Sequence, residues 1–410
     1  MTRHFKAIFW ILRATNININ FTILLSLCFL FGCSTNSKTS QVIYYTTNDE
    51  SIMYPSKCDF NADIISNTYT NGKGVIKFDG DVTTIGEYAF SYCDNLTSVN
   101  IPDSVTSIGA MAFYSCTSLT SVNIPDSVTE IGDSAFHSCH SLTSVNIPDS
   151  VTTIGEWAFS YCDNLKSVNI GDSVTEIGDR AFHSCTRLIS VNIPDSVTTI
   201  GAMAFHSCTR LTSVNIPDSV TTIGEFAFAS CENLTEFTGK FATEDDRSLI
   251  VDNTIIAYAN ASGPTYTIPD SVTTIGAMAF YSCTRLISVN IPDSVTEIGD
   301  SAFENCTRLR SVNIPDSVTS IEDYAFRSCD NLKSVNIGDS VTEIGVMAFA
   351  SCNSLTSVYC KATTPPALGG TGVFYANGSG RKIYVPAGAV GTYMRATNWR
   401  EDSAIVGYDF

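Results

Sequence analysis

The chain has 410 residues, 44% of them apolar and 16% charged, a composition that specifies a folded protein and excludes a disordered one. Its 23 basic residues face 41 acidic ones for a net charge of −18, and a surface of that sign repels phosphate backbones, so nucleic acid is not expected as a partner. Fifteen cysteines suggest a redox framework until their positions are read.

Residues 1–32 carry Arg3, Lys6 and Arg13 and no acid, followed by an apolar run from Phe21 to Phe31. A membrane-spanning helix needs about 20 apolar residues, so this shorter run fits the core of a secretory signal peptide. Leu30-Phe31-Gly32-Cys33 resembles the bacterial lipobox, which implies that Cys33 is acylated and becomes the first residue after cleavage. The alternative is an ordinary signal peptide that happens to contain a cysteine. Acyl chains at about 0.8 kcal/mol per buried carbon would then be the chain's only hold on a membrane. Ser34, not Asp, follows the cysteine, and by the same resemblance this favours the outer membrane; cell surface and periplasmic face both stay open. Residues 33–73 are expected to supply a tether and an N-terminal cap.

From residue 74 to residue 360 the sequence keeps a period of 23. Cys93, Cys116, Cys139, Cys162, Cys185, Cys208 and Cys231 mark it, and after one interruption so do Cys283, Cys306, Cys329 and Cys352. One unit reads Leu96-x-x-Val99-x-Ile101-Pro102-Asp103-Ser104-Val105-x-x-Ile108-Gly109-x-x-Ala112-Phe113-x-x-Cys116. A fixed period of this length with such a core predicts a leucine-rich-repeat solenoid, because no single unit buries its apolar face without a neighbour. Val99 and Ile101 alternate with polar residues as in a half-buried strand, which Pro102 ends. Ala112, Phe113 and Cys116 have the spacing of one short helical turn. The expected fold is therefore β-dominated, with about 13 rungs of 23 residues, short helical turns and caps at both ends.

Between Cys231 and Cys283 the count is 52 residues, two periods plus six, and residues 232–268 are read as an irregular double rung with an acidic bulge at Glu244, Asp245 and Asp246. Residues 361–410 are read as a C-terminal cap module, with Lys382 to Pro386 an edge strand and Val390 to Trp399 a short helix.

The repeat closely resembles the BspA-like class of bacterial leucine-rich repeats, with its I-P-x-S-V-x-x-I-G-x-x-A-F-x-x-C consensus. That resemblance implies a secreted or surface-attached protein that adheres to host extracellular-matrix protein or to glycan. It leaves the oligomeric state unknown. A structural or periplasmic scaffold without a host ligand, O-glycosylated on its Asp-Ser-Val sites, is the alternative.

Each repeated residue type has a plain reading. A cysteine beside Phe serves as a small apolar filler, and buried free thiols are expected although stacked rungs, about 4.8 Å apart, would permit disulfides. His137, His183 and His206 share an exposed, variable position and lack the three or four convergent ligands of a metal site, so no metal is expected. The aspartates of the Asp-Ser-Val ladder, Asp103 and its equivalents, occupy turns where side-chain oxygens accept backbone N–H groups; weak calcium binding and glycosylation are the other readings. No zinc-protease, nucleophile-elbow or phosphate-loop motif is present, so neither an enzyme nor a cofactor is expected.

Two faces remain as candidates for binding. On the strand face the pairs Ser144 and Asn146, Ser167 and Asn169, and Ser190 and Asn192 repeat outward from rung to rung, which suits an extended ligand held by many equivalent contacts. The helical edge varies and carries Trp157, Phe226 and Tyr324, which suit a protein epitope. The strand face is favoured.

Overall fold

The computed structural model describes residues 41–56, 59–399 and 404–410; the segment expected to be a signal peptide, Cys33 and Cys58 lie outside the described residues. The described chain winds into a β-solenoid of about 14 turns of roughly 23 residues, with almost no helix.

Each rung begins with a strand of the Leu-x-Ser-Val-Asn type. These strands stack parallel and in register, Ser144 on Ser167 on Ser190 and Val145 on Val168 on Val191, so every residue type forms a column along the solenoid axis. Proline closes a turn in which Val105 N–H donates to the Pro102 carbonyl at 3.0 Å. A two-residue strand follows, Ser107–Ile108 in this rung, and seven of these pair in order from Thr84–Ile85 to Thr222–Ile223. Gly109 then sits so close to the rung before it that a Cβ there would come within 2.9 Å of the Glu87 nitrogen.

The edge expected to form a helical turn does not. Its bonds close over three residues, as in Tyr114 N–H to the Met111 carbonyl and Cys116 N–H to the Phe113 carbonyl. Two residues per rung also adopt left-handed backbone: Met111, Trp157, Arg180, Phe226 and Tyr324 belong to one such column, Ser115 and Tyr161 to the other. A non-glycine residue there costs about 1–2 kcal/mol. The compensation is a ladder to the following rung, in which Met111, Phe113 and Ser115 donate to the carbonyls of Asp133, Ala135 and His137 at 2.7 to 2.8 Å. Local spacing in the sequence reports the buried face, and the inter-rung bonds decide the backbone.

The core is a column of phenylalanines. Phe90 to Phe228 stack with ring centroids 4.9 to 5.6 Å apart and planes within 9° of parallel, and Phe280 to Phe374 stack likewise at 4.7 to 5.6 Å and within 13°. Eleven of these phenylalanines, Phe90 to Phe349, have a buried free cysteine three residues on; the twelfth described cysteine, Cys360, is also buried and free but stacks on Ile337 in the strand column. From Cys116 to Cys231 each thiol donates to the Phe carbonyl of the preceding rung at 3.0 to 3.3 Å. Burial pushes these thiols up, Cys231 to about 12, so they stay protonated and are poor nucleophiles.

Residues 236–268 interrupt the stack. Ser248–Val251 and Thr254–Tyr258 form an antiparallel hairpin around Asp252 and Asn253, both left-handed. The hairpin separates two cores: Leu249 and Ala257 pack with the first, Ile255 and Tyr258 with the second. The N-terminal cap is antiparallel, with Val42–Thr47 between Lys73–Phe78 and Leu96–Asn100. At the C-terminal end Lys382–Pro386 is not the edge strand expected, because Ala404–Tyr408 pairs beyond it. The expected helix is short, Val390–Tyr393, and buried Trp399 donates its indole N–H to the Pro366 carbonyl.

Candidate functional site

Stacking in register turns the strand face into a polar ladder. Ser144, Asn146, Ser167, Asn169, Ser190 and Asn192 are all exposed, while the valines between them are buried. Asn169 donates its amide N–H to the Asn146 carboxamide oxygen at 2.7 Å, and Thr238 donates its hydroxyl to Asn215 at 3.1 Å in the same column. The structure thus brings the strand-face residues together, with donors and acceptors recurring every rung, about 4.8 Å apart.

The three aromatic candidates are not brought together. Trp157, Phe226 and Tyr324 are each half-buried, on separate rungs, and the rung of Tyr324 contributes Ile321 and Ala325 to the second core. Trp157 is held between His137 and His183 at 6.0 and 5.7 Å, with the Arg180 guanidinium 4.7 Å from its ring.

The histidine column is more than an exposed variable position. His137 stacks on Tyr114 at 4.9 Å and His183 on His206 at 5.0 Å, so the rings are half-buried in two stacked pairs along the edge, separated by Ser160. Burial lowers the affinity of all three for a proton, His206 to a pKa of about 4. Among the described residues no group of three or more His, Cys, Asp or Glu is placed to hold a metal.

At the Asp-Ser-Val turns the roles differ from expectation. The serine hydroxyl is a donor: Ser127, Ser150 and Ser196 give their protons to the Val105, Val128 and Val174 carbonyls of the preceding rung at 2.5 to 2.7 Å. Within the ladder an aspartate accepts a backbone N–H where glycine replaces the turn proline of the next rung, at Asp149 from Asp172 and at Asp316 from Asp339. A glycosyl group on such a serine would first have to break its inter-rung bond.

Two functional-looking features were missed from sequence. Arg247 in the interruption donates to the Tyr258 hydroxyl, the Thr265 carbonyl and the Ser262 hydroxyl. Buried Asn260 accepts the Cys283 thiol at 2.9 Å, replacing the phenylalanine carbonyl of other rungs. Loss of the Phe-x-x-Cys spacing upstream of Cys283 was the available signal. Beside Glu244 and Asp245 lies an open depression of about 460 Å³, lined also by Phe241 and Ile250. No described helix is long and apolar enough to cross a membrane.

These stacked parallel rungs with columns of Leu, Val, Ile, Phe and Cys define a leucine-rich-repeat solenoid. A family model described as "BspA type Leucine rich repeat region (6 copies)" matches residues 63–189, 129–244 and 255–367, and the chain belongs to that family. Among solved structures it is similar to a leucine-rich cell surface protein from Faecalibacterium prausnitzii, with 33% identity, a TM-score of 0.65, and 84% of this chain and 87% of that one covered. It shares its fold with the pneumococcal vaccine antigen PcpA, at 19% identity and TM-score 0.60 over 85% and 88% of the two chains. The same holds for a leucine-rich repeat protein from Eubacterium ventriosum, at 23% identity and TM-score 0.56 over 76% and 80%. No curated protein matches the chain.

Proposed function

We propose that this chain is a non-enzymatic, lipid-anchored binding protein of the bacterial cell envelope that holds an extended macromolecular partner along its strand face, a host extracellular-matrix protein or a glycan. The observation that carries this reading is the in-register Ser/Asn ladder, exposed over successive rungs and equivalent at each step. Many weak, evenly spaced contacts give a long ligand avidity without any deep pocket. The similarity to a cell surface protein from Faecalibacterium prausnitzii supports an envelope location.

The test compares Asn146, Asn169 and Asn192 all changed to Lys in one protein with Trp157 and Phe226 changed to Ser in another, both verified as folded. The first should lose binding to immobilised matrix protein such as fibronectin, and the second should retain it; the reverse result assigns binding to the turn edge. A Cys33→Ala chain should remain an uncleaved precursor without acyl label, and normal processing would refute the lipid anchor. The runner-up, an envelope scaffold, draws on the same rung-to-rung uniformity. Resistance of the protein to protease added to intact cells would favour it over the adhesive reading.

A further inference from the structure

The basic side chains of this acidic chain concentrate on one edge. Between the cysteine turn and the proline turn, four rungs carry arginine at one position, Arg187, Arg210, Arg285 and Arg308, with no acid in those stretches. The next outward position adds Lys166, Arg310 and Lys333. Backbone bonds join this second column within each half of the solenoid: Ile189 N–H donates to the Lys166 carbonyl in the first, Arg310 to Ile287 and Lys333 to Arg310 in the second, each one rung apart. All seven side chains are exposed, and none of them belongs to an ion pair among the described residues. Most acids gather around the proline turn and the short strands, as at Glu130, Asp149, Glu176 and Asp195, while Asp163, Glu232, Glu236 and Asp330 share the arginine edge on rungs that lack the arginine.

At the interruption the arginine column skips to Asn233, but the two halves of the stripe meet in one depression. An open depression of about 420 Å³ is lined by Arg210 from the first half and Arg285 from the second, with Ile189, Asn233 and Ala261. Arg285 reaches across it to the Asn233 carboxamide oxygen at 3.4 Å. From Arg187 to Arg308 the stripe runs about 24 Å at one rung per 4.8 Å.

We propose that this stripe, with the depression between Arg210 and Arg285 at its centre, binds an acidic polysaccharide through its carboxylate or sulfate groups. The proposal deepens the extended-ligand reading and rests on it. Guanidinium forks grip such oxyanions with paired hydrogen bonds; Arg187 and Arg210 stand one rung apart, as do Arg285 and Arg308, and three rungs separate the two pairs. The adjoining residues are Ser190, Ser213, Ser288 and Ser311 of the polar ladder, which offer hydroxyls to sugar hydroxyls. The stripe lacks the aromatic anchors that dominate a folded-protein interface, so repeating charge on a chain of sugars fits it better than a protein epitope. The overall negative charge then excludes polyanions from the other edges and orients the ligand on this one.

The test uses the full chain in detergent, with heparin as the sulfated probe, polygalacturonate as the carboxylate probe, and dextran and poly-glutamate as comparators. One or both acidic polysaccharides should bind, more weakly as salt rises, and the pair identifies the preferred oxyanion. Arg210→Glu with Arg285→Glu should weaken binding by at least about tenfold, and Arg210→Gln with Arg285→Gln by less. Arg180→Glu, on another edge, should change it less than about twofold. Three results overturn the proposal: equal binding by the reversed pair and the wild type, tighter binding of poly-glutamate than of either acidic polysaccharide, or salt-sensitive self-association of the free chain that the same pair abolishes. If the reversed pair keeps acidic polysaccharide while the Asn→Lys variant still loses matrix protein, the stripe is refuted and the ladder stands. If no polysaccharide binds and the Asn→Lys variant also keeps matrix protein, both readings fall.

Discussion

The regular rungs and the interruption solve one problem in two ways. In a regular rung buried groups are mostly met by a column: thiol to phenylalanine carbonyl, serine hydroxyl to valine carbonyl, ring on ring. In the interruption the same needs are met by single residues, Asn260 for the thiol and Arg247 for two tyrosine rings and a carbonyl. There the aromatic stack also turns, with Phe228 and Phe237 edge to face at 71°. A column spreads the effect of a defect over its neighbours, whereas a unique contact has no substitute.

The largest expected effect comes from the middle of a column. Phe159→Ala should cost about 3–5 kcal/mol, and because the two cores are distinct, the loss of hydrogen-exchange protection should concentrate in rungs around residues 136–182 and spare those after Tyr266. Uniform loss along the chain would show that the interruption transmits cooperativity. Next comes Arg247→Ala, expected to cost about 1–3 kcal/mol because the Tyr258 hydroxyl and the Thr265 carbonyl lose their donor. Its exchange signature should centre on Ser248 to Tyr266.

Smaller still is a matched pair of thiol deletions. The Phe136 carbonyl that accepts the Cys162 thiol also accepts the Cys139 N–H, so Cys162→Ala leaves it satisfied and should cost about 1 kcal/mol. Cys283→Ala strips buried Asn260 of that donor and should cost more in the same denaturant titration. Equal costs would erase the distinction between column and unique contact. The last test is acid. His206 is neutral in the fold down to about pH 4, whereas the unfolded chain takes its proton near the usual 6.5. Stability should therefore fall as pH drops from about 6.5 toward 4 and then level off in this contribution, with His183 and His137 acting in the same direction. Replacing His206 with Phe should flatten that part of the profile.

Much of this was legible in the sequence, because a period of 23 carries its own register: the Val, Ile, Phe and Cys columns and the Ser/Asn ladder follow from counting. The turn edge was not, since Ala112, Phe113 and Cys116 are spaced for a helix while the backbone is set by bonds to the next rung. The roles of Arg247 and Asn260 were hidden for the opposite reason, as each occurs once and no repetition announces it. Net charge also concealed the arginine stripe, because a sum over the chain says nothing about edges.

The near-identity of the rungs has a further consequence for how the chain finds its winding. Sliding one part of the coil past another by a whole unit would return almost every side chain to an equivalent place, so a mis-phased coil is nearly as good a solution as the native one. What breaks the tie is the hairpin at Ser248–Val251 and Thr254–Tyr258, together with the antiparallel strand Val42–Thr47, which fit one place only. These irregular pieces act as punctuation, telling an otherwise repetitive sentence where each clause begins.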